Sequence, residues 1–399
     1  MIKLTNEQAR RFMLLRHGLI GKYRYEGKSG ALEFIRSAGA IQFDPVDVCG
    51  KNAELTLQSR VKGFTKKTLS DLLYKDRALV DYPDKNISII PTEDWPYFER
   101  FRRAARECAK QFSELPPVIE EARKYIQAHG AVSSDELPIK GDIHWHSAIH
   151  WSGEWGGGTT KAARSALEQL YSQGECIIHH KDGARKYYDF AEKYIPKEIL
   201  SADDPLQSEE EHLKWRVKRR IGAVGLMWNR KSDAFLGIWG LDNDKRNAAF
   251  SALTESGEIT ALEVEGTRGE MYILARDEAL LEAAMSGEKL TPRCEIIAPL
   301  DVMLWDRKLI SSIFAFEYSW EIYTPTEKRK YGCYTLPILC GDGFAGRLEA
   351  SADTKAKTLY IRNIWYEKGA KITQAQKRAI EKRIERFAKF NGCESVIYL

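Results

Sequence analysis

Apolar positions recur at helical spacing through the first three quarters of the chain and then give way to short alternating runs. Thr5-Asn6-Glu7-Gln8 has the form of a capping box, in which Thr5 and Gln8 satisfy each other's backbone donors. It predicts a helix ending near Gly18 or Gly21. A second helix, capped by Ser29, carries Leu32, Ile35 and Ala38 on one face and stops at Gly39. Leu69, Leu72 and Leu73 mark a third from Thr65 to Lys75, and "ISIIP" is extended before "TEDWPYFERFRRAARECAKQF".

Pro116-Pro117 opens the next helix, which runs to Gly130, and Ser133 to Glu136 again has capping-box form and predicts a short helix. "KAARSALEQLYSQG" is helical by its stripe of Ala163, Leu167, Leu170 and Tyr171. "ECIIHHKDGARKYYDF" then reads as two strands around Asp182-Gly183. Helices followed by a two-stranded wing give the order of a winged helix-turn-helix. The order recurs with a helix near 208–229, the stretch "NDKRNAAFSALTESG" and the strand pair in "EITALEVEGTRGEMYIL".

From Pro292 the pattern changes to short strands in "CEIIAPLDVMLW", "WEIYTP", "YTLPIL", "AGRLEASAD" and "TLYIRNIWYE". A closing helix, Thr373 to Phe390, is expected to bury Ala379, Ile380, Ile384 and Phe387 and to expose Lys377, Arg378, Lys382, Arg386 and Lys389. The expected fold is α+β: three tandem winged helices over 1–110, 111–200 and 201–290, and a small barrel-like β-domain over 291–399.

Composition narrows this little. At 399 residues the chain is long enough for two or three domains, and 43% hydrophobic with 30% charged residues is ordinary for globular protein. The charged N-terminus and the lack of an apolar run near 20 residues point to a soluble, cytoplasmic protein with no membrane segment. The seven cysteines are scattered without a C-x-x-C pair, so buried thiols are expected rather than zinc ligands or a disulfide framework. A net charge of +4 permits nucleic acid without requiring it, so the placement of charge matters more than the sum.

Winged helices place one helix in the major groove and a wing on the backbone of duplex DNA. Lys161 and Arg164 start one candidate recognition helix, Lys181, Arg185 and Lys186 lie at its wing, and Arg268 lies on the next hairpin. They would contact phosphates, giving salt-sensitive affinity independent of sequence; the alternative is a solvated charged face. "GDIHWHSAIHWSGEWGGG" carries His144, His146 and His150, but their spacing completes no metal pattern. An aromatic loop is the simpler reading, with the triple glycine a linker.

In "AIQFDPV" a polar pair, Gln42 and Asp44, brackets Phe43, and Pro45 disfavours the α region at Asp44. Extended, the two side chains would share a face about 6.5 Å apart, opposite Ile41 and Phe43. They could then hold one water, with the carboxylate stabilising a nearby positive charge. The competing reading is an Asp-Pro turn whose polar groups cap neighbouring backbone.

The blocks "GAIQFDPV", "TEDWPYF", "KAARSALEQLYSQGE", "KYYDFAEKYIP", "APLDVMLWDRK" and "EIYTPTEKRKYGCYTLPIL" together resemble the AlkZ/YcaQ winged-helix DNA glycosylases over almost the whole chain. That resemblance implies three winged helices and a β-domain in a C-shaped, cofactor-free and metal-free protein acting on double-stranded DNA. It implies hydrolysis of the N-glycosidic bond of N7-alkylated guanine, in some members with unhooking of interstrand crosslinks. Gln42-Phe43-Asp44 matches the Gln-apolar-Asp form of the catalytic motif, the branch tied to general repair. Gln42 would orient a water and Asp44 would activate it and stabilise the sugar cation, as in a monofunctional enzyme. A monomer is expected.

One departure is "YPDKNIS", where many relatives carry an aromatic-x-His sequence; Lys85 would contact a phosphate there instead. "LDVMLWDR" brings Asp301 and Arg307 to the cleft or into structural salt bridges. The rival function is a winged-helix transcriptional regulator in which the QFD triplet is structural. Three such units without an effector-sensing domain argue against it.

Overall fold

The structure, a computed structural model, describes residues 1–146, 159–368 and 372–399. It divides into two compact units, one formed by Met1–Leu69 with Leu213–Leu399 and the other by Ser70–His212. The four-part division expected from the repeats is finer than this.

In the first unit the capping box at Thr5 and Gln8 is formed, and the helix Asn6–Arg16 follows it. The next helix, Gly27–Ala38, starts two residues before the expected cap and ends at Gly39, whose φ of 81° suits only glycine without strain. A β-carbon at Gly39 would lie 2.8 Å from Cγ of Arg219, which donates to the Gly39 carbonyl from the helix Glu209–Val224. The first residues, Ile2–Leu4, run parallel to Ile259–Val264 in a four-stranded sheet that continues through Met271–Leu274 to Met227–Trp228. Hydrophobic patterning did not announce that first strand.

The C-terminal part of this unit is a five-stranded sheet in the order Cys294–Ile296, Thr335–Cys340, Gly343–Asp353, Thr358–Tyr366, Ser395–Tyr398. The order is linear, and among the described residues the first and last strands do not pair, so the sheet is open. Its last pairing is parallel because the helix Gln374–Phe390 carries the chain back between the two strands. That helix buries Ile380, Ile384, Phe387 and Ala388 against the sheet, whereas Ala379, expected in the core, is exposed. Cys49 and Leu55 from the N-terminal part lie in the same core. "WEIYTP" is a loop, and Cys294 and Cys340, expected as thiols, are cross-strand neighbours joined by a disulfide. Cys49, Cys176 and Cys393 are buried free thiols, and Cys108 and Cys333 are free and half-buried.

In the second unit an aromatic cluster forms around Tyr82. Its ring lies 4.8 Å from that of Trp95 and 5.6 Å from those of Phe101 and Tyr171, and its hydroxyl donates to the Ser172 carbonyl at 2.9 Å. Tyr82 belongs to the hairpin Leu79–Asp84/Asn86–Pro91. The helix Leu115–His129 falls where Pro116-Pro117 and Gly130 placed it, Ala162–Ser172 where its apolar stripe did, and the wing Cys176–Asp182/Arg185–Phe190 around Asp182-Gly183. Ser133–Glu136 is only a turn: Glu136 caps the Ser133 amide, but no helix follows. Local capping chemistry was present without enough apolar surface behind it to sustain helix.

Arg60 and Asp301 form a fully buried ion pair in the first unit, 2.8 Å apart, with the guanidinium 4.6 Å from the Phe34 ring. Burial pushes the Asp301 carboxyl above its ordinary range, against the opposing pull of Arg60. Removing one partner strands the other charge away from water, so Asp301→Ala is expected to cost about 3–5 kcal/mol of stability, measured by urea unfolding.

Candidate functional site

Gln42 and Asp44 lie where the chain leaves the short strand Ile41–Gln42. Both are buried, at 3% and 6% exposure, and so are Ile41 and Phe43. Residues 43 to 47 form no regular strand, so the period-two argument for a shared face stops at Gln42. What shapes the segment is a series of side chain–backbone bonds. Asp44 Oδ1 accepts from the Val46 amide at 2.9 Å, closing a turn over Pro45. Asp47 Oδ1 accepts from the Gly50 amide at 2.9 Å. The Ala352 amide donates to the Val48 carbonyl at 2.9 Å, fastening the loop to the large sheet.

The Asp-Pro turn is therefore real, yet it occupies one carboxylate oxygen only. Oδ2 of Asp44 makes no hydrogen bond among the described residues. Desolvation pushes the Asp44 carboxyl above the usual aspartate range, and the Val46 amide pulls the other way. A carboxylate in this state is a stronger base and a less well neutralised anion than one in water.

Asn52, which sequence reasoning passed over, holds the strand end in place. Its Nδ2 donates to the main-chain carbonyl of Gln42 at 2.7 Å, and its Oδ1 accepts from the Leu300 amide at 2.9 Å. One buried carboxamide thus ties the Gln42 backbone to the segment "APLDVMLW". Trp305 Nε1 donates to the Leu300 carbonyl at 3.3 Å from the other side. No local pattern marks such a residue, because both partners are remote or backbone.

The other predicted residues divide. In the first unit Arg268 is exposed at the hairpin turn, where its carbonyl accepts from Arg230, and Arg307 is exposed at the start of the helix Arg307–Phe314. Asp301 is the buried partner of Arg60, the structural alternative. In the second unit Lys161 is exposed at the start of its helix, and Arg164 pairs along that helix with Glu168 at 2.9 Å. Arg185 is half-exposed and lies 3.4 Å from Asp135, and Lys186 is half-buried. Two assignments need correction. Lys181 is turned inward: its side chain is 5% exposed and ion-paired with the fully buried Asp81. Lys85 is buried as well, at 6% exposure. Neither is presented to a phosphate, because both residues are buried at the side chain or as a whole.

His144 and His146 pack against Phe112, with ring centroids 6.1 and 4.8 Å away; His150 and the triple glycine lie outside the described residues. Among the described residues no group of three or more His, Cys, Asp or Glu could hold a metal ion. No helix among them is long and apolar enough to cross a membrane.

The chain is α+β and buries the Asp44 carboxylate two residues from Gln42, and comparison with known proteins gives its class. Residues 35–390 match the family described as DNA glycosylase AlkZ-like, and the chain belongs to that family. It is a DNA glycosylase, an enzyme of DNA repair. The fold is similar to that of Streptomyces sahachiroi DNA glycosylase AlkZ, with a TM-score of 0.63 over 100% of both chains at 14% identity.

Asn52→Ala would remove the acceptor of the Leu300 amide and a donor to the Gln42 carbonyl, both in the interior. The expected cost is about 1–3 kcal/mol in urea unfolding, with base excision falling alongside because the Gln42 backbone is no longer pinned.

Proposed function

We propose that this glycosylase hydrolyses the N-glycosidic bond of N7-alkylated guanine in duplex DNA, with Asp44 and Gln42 as its catalytic residues. The observation that carries the reading is the state of Asp44: buried, raised in pKa, one oxygen fixed by the Val46 amide and the other without a hydrogen bond among the described residues. An N7-alkylguanine already bears positive charge and departs without strong acid catalysis. The site has to supply a placed water and an anion for the oxocarbenium-like sugar. Asp44 suits both demands, and Gln42, two residues away on a pinned backbone, would orient the water.

The triplet Gln42-Phe43-Asp44 has the Gln-apolar-Asp form, which supports reading the chain as one of the branch associated with general repair. A crosslink joining two N7 positions presents the same leaving group at each end, so unhooking follows from the same chemistry. No lysine nucleophile enters the scheme, so the product is an abasic site. Lys161, Arg164, Arg185, Lys186, Arg268 and Arg307 are the proposed phosphate contacts, and binding through them weakens with salt.

The test is incubation with duplex DNA carrying 7-methylguanine, followed by cleavage of abasic sites. Asp44→Asn and Gln42→Ala are each expected to lose about 10²–10⁴-fold in single-turnover rate, the range general-base groups contribute. Wild-type-like rates in both variants would refute the assignment. Because ionised Asp44 is the active form, activity should fall on acidification with a midpoint above the ordinary aspartate value of about 3.9. The stability sign is opposite. A carboxyl raised by desolvation makes folding costlier once ionised, and that cost is relieved as pH falls through the raised value. Asp44→Asn should therefore show no loss of melting temperature at neutral pH, which separates lost chemistry from lost fold.

A further inference from the structure

We infer that Tyr323 is a specificity-determining residue whose ring covers the face of the cationic base while Asp44 acts on the sugar side. The inference rests on the glycosylase reading above and adds to it the group that recognises the leaving base. Tyr323 is 74% exposed, among the most exposed large aromatic side chains described. Single exposed aromatics are common and need no function. This one differs in how it is held and in what lies beside it.

The loop that carries it is built around one acid. The buried Glu321 carboxylate accepts the amides of Lys330 at 2.9 Å, Tyr331 at 2.8 Å and Gly332 at 3.2 Å, closing the loop at its base. Across the tip, Arg329 Nε donates to the Thr324 carbonyl at 2.8 Å. The Tyr323 ring meets Trp320 edge-on at 5.7 Å, Trp320 meets Tyr334 at 6.0 Å, and the Tyr334 hydroxyl donates to the Gly50 carbonyl at 3.2 Å. Three rings thus connect the loop to the segment that ends the catalytic stretch.

Tyr323 also feels Asp44: partial burial first, and that carboxylate second, push its hydroxyl above the usual tyrosine range. An electron-rich ring within electrostatic reach of an anion, on a side chain 74% exposed, is a receptor for a flat cation. An N7-alkylated purine is such a cation, whereas an unmodified purine is not. The attraction of cation to ring would favour the lesion over the normal base by a charge-dependent amount.

The test compares Tyr323→Phe, Tyr323→Leu and Tyr323→Ala with wild type in single-turnover excision of 7-methylguanine, together with binding to undamaged duplex. Leu and Ala are expected to lower kcat/KM about tenfold and Phe about twofold at most, with affinity for undamaged duplex unchanged in all three. Full activity in the Leu variant would overturn recognition through the ring's charge distribution, and full activity in the Ala variant would overturn any contact. Loss in Phe equal to that in Ala would assign the effect to the hydroxyl and also overturn the proposal. If wild type fails on 7-methylguanine, the reaction itself is misassigned and this inference falls with it. Excision by wild type with no effect of Tyr323 leaves the reaction standing and removes only the inference.

Discussion

The Asn52 carboxamide is the contact on which the candidate site depends. It satisfies two buried backbone groups from segments far apart in the chain, the Gln42 carbonyl and the Leu300 amide. In the interior neither group has water to fall back on, so the bond fixes position as well as contributing energy. With Gln42 held, the turn over Pro45 sets Asp44, and the Val48 and Gly50 contacts carry the segment onto the large sheet. A reaction that asks for a placed water needs this sort of backbone, since small misplacements of a catalytic group are costly.

Buried charge, beside apolar packing, joins the parts of the unit built from Met1–Leu69 and Leu213–Leu399. Arg16 binds Asp277 at 2.7 Å and reaches the carbonyls of Ser37 and Gly222, both at 2.9 Å. Glu295 joins Arg293 and Arg383, each at 2.7 Å, and Arg383 extends to Gln58. Such groups gain little net stability over well-packed hydrocarbon but strongly penalise any arrangement that separates them. They link the N-terminal helices to the sheets that follow them by some two hundred residues or more, making one unit from two distant stretches of chain.

Much of this was legible in the sequence where cause and effect are neighbours. The helix after Thr5, the stop at Gly39 and the helix Ala162–Ser172 follow from caps and apolar spacing within one or two turns. The pair Gln42 and Asp44 could be singled out because a proline follows it. What could not be read depends on partners distant in the chain. Lys181 resembles any wing lysine until Asp81, far upstream, takes it inside. Asp301 is an unremarkable acid until Arg60 meets it. "WEIYTP" has the alternation of a strand, but the Glu321 carboxylate gathers the amides of Lys330, Tyr331 and Gly332 and makes it a loop. Tyr323 lies in a block that carried the family resemblance, yet nothing in its spacing distinguished it from a packed aromatic.

The pairing of Ile2–Leu4 with Ile259–Val264 has a consequence for how the chain is made. Leu4 meets Val264, 260 residues further along the chain, so this strand has no partner until that later segment has been made. Contacts of such long range form late and slowly, because the intervening chain has to be ordered first. Until then the strand Ile2–Leu4 and the unpaired edge at Ile259–Val264 are both open to other chains. The time for which Ile2–Leu4 and Ile259–Val264 stay unpaired thus bears on how cleanly this unit folds.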